Sequence, residues 1–211
     1  MTASVTTPTK RSSPRRQRSD GVRSRQAILK GATELATVEG LEGLSIGRLA
    51  DHIGMSKSGL YAHFGSKEEL QLATIDAAQE IFEHEVVRPT LDYPEGVAQV
   101  LEFSEAYLSY LERRVFPGGC FFASVAAEVD SRDGPVTDKL RELMAGGIDA
   151  LAGMVRDAQA RGEVDAGADA DQLAFEIDAL LHGANAAFTL YRSDEPLERA
   201  RQAIRARLGQ P

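Results

Sequence analysis

Residues 45–70 read SIGRLADHIGMSKSGLYAHFGSKEEL. Ile46, Leu49, Ala50 and Ile53 recur at i, i+3, i+4 and i+7, which lines four apolar groups along one face of a short helix. Ser45 precedes it with a hydroxyl suited to accept from a first-turn amide, and Gly54 follows as a residue suited to the left-handed helix end. Ser56 offers a second cap, and residues Lys57 to Phe64 predict a second short helix with Leu60 and Phe64 as its buried pair, stopped by Gly65. Ser66 and Glu69 then form an S-x-x-E capping box that starts a third helix. Two short helices joined by a tight glycine-containing turn make a helix-turn-helix unit.

Burying Leu60 and Phe64 leaves Lys57, Ser58, Tyr61, Ala62 and His63 facing outward. None is acidic, which suits a helix lying near phosphates. Gly59 costs about 1 kcal/mol relative to alanine inside a helix, so its presence predicts the close approach of DNA or of a packed neighbour. On the residues alone, a three-helix packing unit without nucleic acid stays open as the second reading.

The segment SKSGLYAHFGSKEEL, with its L-Y-x-H-F-x-S-K-E-x-L pattern, closely resembles the recognition helix and following helix of the TetR family of bacterial transcriptional regulators; the resemblance covers about residues 22 to 83. It implies an all-α homodimer of about nine helices, with a small N-terminal DNA-binding domain and a larger C-terminal domain carrying a dimer interface and a ligand pocket. Position by position it implies phosphate and groove contacts at Ser45, Tyr61, His63 and Lys67, and approach to base edges by Lys57, Ser58 and Gly59. The implied partners are double-stranded DNA with a near-palindromic operator, a small-molecule effector and a second copy of the chain. Ala62 departs from the family, where an aromatic or large polar residue often stands between the tyrosine and the histidine. That departure motivates an alternative, a helical ligand-binding or interaction protein that no longer binds an operator.

Composition agrees with the domain division. The net charge of -8 hides 11 Lys/Arg against 5 Asp/Glu in residues 1–67, and 13 against 27 in the remainder. The basic part holds the helix-turn-helix, and the acidic part keeps the rest of the surface off DNA. No run of 18 apolar residues predicts a membrane span, and the N-terminus lacks the apolar segment of a secretory signal. A single cysteine excludes an internal disulfide and fits a reducing cytoplasm.

Taken in order, residues 1–21 read as a disordered basic arm and residues 22–83 as the DNA-binding domain, with its helix-turn-helix at 45–64 and a first helix from about Arg23 to Val38. Residues 84–211 read as the ligand-binding and dimerisation domain. The helix begun at Ser66 is predicted to reach Val87, ended by Pro89. A fifth helix follows from Asp92 to Val115, a sixth over CFFASVAAEVD, and a seventh from Pro135. An eighth is capped by Asp169, and a ninth runs from Pro196 to Leu208.

An excess of aromatics and methionines over one stripe per helix predicts a pocket lined by Phe103, Tyr107, Phe122, Met144, Phe175 and Phe188, with His182 and Asn185 as its polar groups. The broad apolar face and small residues of the eighth and ninth helices predict a dimer interface at Leu180, Gly183, Ala184, Ala187 and Ile204. Cys120, after Gly118 and Gly119, reads as a buried small hydrophobe or as a redox thiol activated by a helix N-terminus. Glu80 and His84 stand four apart, but a solvated acidic face explains them, and no metal or cofactor is expected. No P-loop, dinucleotide fingerprint or G-x-S-x-G is present, so an enzyme is not expected.

Overall fold

The computed structural model describes residues 14–129 and 133–211; for residues 14–20 and Val22 it describes the backbone alone. Among the described residues all regular structure is helical. The helices are α1 (Pro14–Glu39), α2 (Ile46–Ile53), α3 (Lys57–Tyr61), α4 (Lys67–Phe82), α5 (Val97–Glu112), α6 (Phe121–Val129), α7 (Pro135–Ala160), α8 (Ala170–Tyr191) and α9 (Glu195–Arg207). Helix α4 continues without a break through a π-helical turn, Glu83–Val87, and a last α turn, Arg88–Leu91.

The short helices stand where their caps put them. Ser45 Oγ accepts the Arg48 N–H at 3.2 Å, and Gly54 closes α2 at φ 69°. Ser56 Oγ accepts the Gly59 N–H at 3.1 Å to open α3. Ser66 Oγ accepts the Glu69 N–H at 3.0 Å, and the Glu69 carboxylate reaches back to the Gly65 N–H at 2.8 Å, one residue earlier than in the standard box. Leu49, Leu60 and Phe64 are buried with Ile28, Ala32 and Leu35 of α1, so three helices share one small core.

Four boundaries differ from expectation. Helix α1 begins at Pro14, not near Arg23. Proline is preorganised for the first helical position, and Arg15, Arg16, Gln17 and Arg18 are good helix formers. Of the expected arm, residues 14–21 are helical backbone, and residues 1–13 lie outside the described residues. Helix α3 stops at Tyr61, not Phe64. Phe64 is buried all the same, because a tight turn with His63 N–H and Phe64 N–H both bonded to the Leu60 carbonyl carries it inward. Pro89 does not end the fourth helix. The wider π turn tolerates the missing N–H, and Thr90 Oγ1 donates to the Val86 carbonyl at 2.8 Å. Helix α5 starts at Val97 rather than Asp92, after Gly96 at φ 113°.

The same buried cluster continues among α5 to α9, with α8 packed on both α7 and α9, and α6 packed on α1. Two close approaches join this half to α1 and the turn after it. A Cβ on Gly118 would sit 1.9 Å from the Thr37 carbonyl oxygen of α1, so only glycine fits there. A Cβ on Gly40, at φ 81°, would meet the Glu128 carboxylate at 2.6 Å.

Candidate nucleic-acid interface and interior cavity

Ser45, Lys57, Ser58, Gly59, Tyr61, His63 and Lys67 fall within the cap of α2, helix α3, the tight turn that follows it and the first turn of α4. Lys57, Ser58 and Tyr61 are exposed, Tyr61 at 60%, so Tyr61 is not a core aromatic. Among the described residues Lys57 makes no ion pair, which leaves its charge available. The nearest obstacle to a side chain at Gly59 is Ser56 Oγ at 3.1 Å, so the chain's own core does not demand this glycine. His63 is half-buried.

Two basic residues behave differently from expectation. Lys67 Nζ donates to the Glu42 carbonyl at 2.7 Å and meets its carboxylate at 3.1 Å, so this ammonium is already engaged within the chain. Arg25 of α1, not singled out in the sequence, donates to the His63 carbonyl at 3.1 Å. Its guanidinium lies 4.5 Å over the Phe64 ring. It clamps the end of the α3 region to α1 by a charge-assisted bond and a cation–π contact. Only the three-dimensional meeting of α1 with that turn reveals it.

A cavity of about 500 Å³ opens among the end of α4, α5, the start of α6, α7 and α8. Of the expected lining residues, Phe103, Tyr107, Phe122, Met144 and His182 face it. The other three do not. Phe175 is 59% exposed on the outside of α8. Phe188 is buried, with the Arg114 guanidinium 4.9 Å over its ring. Asn185 is buried too, and its Oδ1 accepts the Cys120 N–H at 2.9 Å, fixing the turn before α6. Phe82, Leu143, Ile148, Met154 and Asp178, which the sequence pattern does not single out, also line the cavity. Phe82 packs edge-on against Tyr107, Tyr110 and Phe122, at centroid distances of 5.8–6.2 Å.

The titratable groups at the cavity have clear physical settings. His182 Nδ1 lies 3.2 Å from Asp178 Oδ1 and 3.0 Å from the Asp178 carbonyl oxygen. Its pKa is raised, chiefly by the hydrogen bond to the Asp178 side chain. Burial pushes the Tyr107 hydroxyl well above its ordinary range. Burial also pushes the Cys120 thiol up, which disfavours the thiolate that the redox reading requires. Cys120 itself is buried, 2% exposed, beside the cavity.

Helix α8 turns an apolar stripe outward. Phe175, Ala179, Gly183, Ala186 and Leu190, spaced by four, four, three and four residues, are exposed, and Tyr191 beside them is 70% exposed. Of the expected interface residues, Gly183 is exposed, while Leu180 and Ala187 are partly buried. Ala184 and Ile204 are 5% and 1% exposed within their own chain, where they join the core beneath α8 and α9. They are therefore corrected to core residues.

Residues 96–204 match the family profile of the tetracyclin repressor-like C-terminal domain, and residues 28–74 match that of bacterial regulatory proteins of the tetR family. A helix-turn-helix built on α2 and α3, joined to a helical C-terminal domain with an interior cavity, defines a DNA-binding transcriptional regulator. The chain belongs to the TetR family of such regulators, and is not an enzyme. It is 40% identical over 82 residues to the HTH-type transcriptional repressor AcnR of Corynebacterium efficiens, covering 35% of this chain and 44% of the relative. The match to AcnR of Corynebacterium glutamicum is 40% over 80 residues, 34% of this chain and 43% of that one. The chain thus aligns with less than half the length of these curated relatives. A solved TetR transcriptional regulator from Chloroflexus aurantiacus has a TM-score of 0.83 at 29% identity, over 91% of this chain and 97% of that one. A TetR-family regulator from Streptomyces coelicolor shares the fold at a TM-score of 0.75 and 22% identity, over 95% and 96% of the two chains. Among the described residues no helix is long and apolar enough to cross a membrane.

Proposed function

We propose that the chain is a homodimeric repressor, acting in the cytoplasm on a near-palindromic operator and released from it by a small apolar or aromatic molecule. The observation that carries the ligand response is the run of α4. Its first turn follows the helix-turn-helix directly, and its far end places Gln79, Phe82 and Val87 in the cavity wall. One continuous helix therefore runs from the reading head to the cavity wall. A ligand that prefers one setting of α4 shifts the population away from the DNA-binding arrangement. Repression is supported by the names of the corynebacterial relatives. We set the boundary between the DNA-binding domain, 22–83, and the ligand and dimer domain, 84–211, at the onset of the π turn.

Dimerisation is supported by the exposed stripe of α8, which with neighbouring α9 offers two helices to a symmetry mate. Small residues at Ala179, Gly183 and Ala186 allow close helix approach, and Phe175 and Leu190 supply apolar area. On α3, Lys57, Ser58, Gly59 and Tyr61 approach base edges and backbone, while Ser45, His63 and Lys67 flank them as phosphate and groove contacts. The test is fluorescence anisotropy of a duplex recovered by selection, titrated with protein before and after adding an apolar aromatic compound that binds. Loss of DNA affinity on ligand binding supports the reading. Unchanged affinity with the cavity demonstrably filled would overturn it.

A further inference from the structure

The polar groups that the cavity leaves open are acceptors. Asp178 and Glu142 line it, and among the described residues no lysine or arginine does. His182 Nδ1 lies 3.2 Å from Asp178 Oδ1 and 3.0 Å from the Asp178 carbonyl oxygen, so Nδ1 carries the proton that orients the ring. That contact covers one carboxylate oxygen. Among the described residues Asp178 Oδ2 has no partner and is not sealed from solvent. The same holds for His182 Nε2, an acceptor when the ring is neutral. Glu142, exposed on α7, makes no ion pair among the described residues. The donors are already engaged: Gln79 Nε2 donates to Glu83 Oε1 at 3.0 Å, and the buried Tyr107 hydroxyl and Cys120 thiol are paired with each other.

Charge and aromatic surface favour the same sign of guest. Tyr107 and Cys120, whose pKa values burial raises, are raised further by the Asp178 charge, which places that carboxylate on the cavity side of α8. With His182 neutral the wall carries the negative charge of both Asp178 and Glu142, and with His182 protonated it stays negative. Phe82, Phe103 and Phe122 line the same space and keep part of their surface open to it. The face of such a ring attracts a cation. An anionic guest would meet like charge and no free donor. Removing an ion from water is strongly unfavourable unless a partner receives it, and the partner present here is a carboxylate.

Resting on the effector reading above and narrowing its aromatic branch, we propose that the cavity takes an aromatic ammonium ion, its N–H groups on the Asp178 carboxylate and its rings against Phe82, Phe103 and Phe122. The class is that of arylalkyl primary and secondary amines, which are protonated at neutral pH. Aryl carboxylates are excluded, and neutral molecules of the same shape bind more weakly because they leave the Asp178 charge unmatched.

Four naphthalenes of similar shape test this by isothermal titration of the full chain at neutral pH: 2-(aminomethyl)naphthalene, 2-naphthalenemethanol, 2-ethylnaphthalene and 2-naphthoate. The amine should bind at least about tenfold more tightly than the alcohol or the hydrocarbon, the lower end for one hydrogen bond to a charged group. Naphthoate should bind most weakly. Asp178→Asn keeps the shape of the side chain and removes its charge, and should bring the amine down to the alcohol's affinity. Glu142→Gln, at an exposed position that leaves the fold untouched, should weaken the amine about two- to fivefold and leave the alcohol unchanged; it decides the matter on its own if Asp178→Asn does not fold. Naphthoate binding as tightly as the amine, an amine no better than the alcohol, undiminished amine binding by Asp178→Asn or by Glu142→Gln, or no binding by any probe would each overturn the inference. An amine that binds as expected but leaves the protein–DNA complex intact would overturn the effector reading and leave the ligand class standing.

Discussion

The Glu128 carboxylate, near the end of α6, accepts the backbone N–H of Leu41 at 2.6 Å and that of Glu42 at 2.9 Å, so a side chain of the C-terminal domain caps the turn between α1 and α2. The same turn holds Lys67 through Glu42 and receives the Gln71 amide on the Leu41 carbonyl at 2.8 Å. Helix α6 also contributes Phe122 to the cavity. Two backbone donors thus depend on one carboxylate across the domain junction.

Glu128→Ala should destabilise the chain by about 1 to 3 kcal/mol, the cost of leaving partly buried donors without a charged acceptor. Glu128→Gln should recover little, because one of its two positions becomes an NH2 facing an N–H. Chemical denaturation of the three proteins checks this; a glutamine variant as stable as the parent would show that the two bonds are not held by charge.

Lys57 and Lys67 should separate in their salt dependence. Lys57→Ala should lower the slope of log affinity against log salt by about 0.9, since an unpaired ammonium can displace a counterion. Lys67→Ala should lower it by less, because Glu42 already neutralises part of that charge. Anisotropy titrations over a salt series decide it, and a full-unit change for Lys67→Ala would mean that the Glu42 contact opens on DNA.

Ser58→Ala should cost about 1 to 3 kcal/mol on the selected operator and much less on a scrambled duplex. Equal losses on both duplexes would remove Ser58 from the base-reading set.

Leu190 is 74% exposed, so Leu190→Glu leaves the core of its own chain untouched. It places two like charges in the proposed symmetric interface, and sedimentation should show a monomer at micromolar concentration where the parent is a dimer. A dimeric variant with parent-like affinity would move the interface elsewhere.

The Asp178–His182 pair carries a pH dependence of definite sign. A histidine whose folded pKa lies above its unfolded value contributes stability below the unfolded value, and loses it as pH rises through the folded one. The stability difference between the parent and Asp178→Asn should therefore be larger at pH 6 than at pH 8.5. Melting curves at the two values check it, and a difference that grows with pH would contradict the assignment.

The DNA-binding half was largely legible because its signals are local. The caps at Ser45, Ser56 and Ser66 and the α2 stripe depend only on neighbouring residues. Local signals also produced the errors there: Leu60 and Phe64, four apart, satisfy a helical pattern, yet the second is reached by a turn. The C-terminal half was read less fully. Helix α8 is apolar on two faces, and sequence cannot tell which faces inward. The pattern therefore predicts Ala184 at the interface and Phe175 in the pocket, whereas Ala184 is buried in its own chain and Phe175 is exposed. Arg25 over Phe64 and Glu128 on Leu41 are contacts between distant segments, of which no periodicity gives notice.

Whether a symmetric pair of α3 helices reads DNA is decided by selecting bound duplexes from a random pool and sequencing them. The expected result is a near-palindromic site whose half-sites lie one helical turn apart, roughly 34 to 36 Å, or a multiple of it. A pool that yields no enriched sequence, or a single asymmetric half-site, would contradict it.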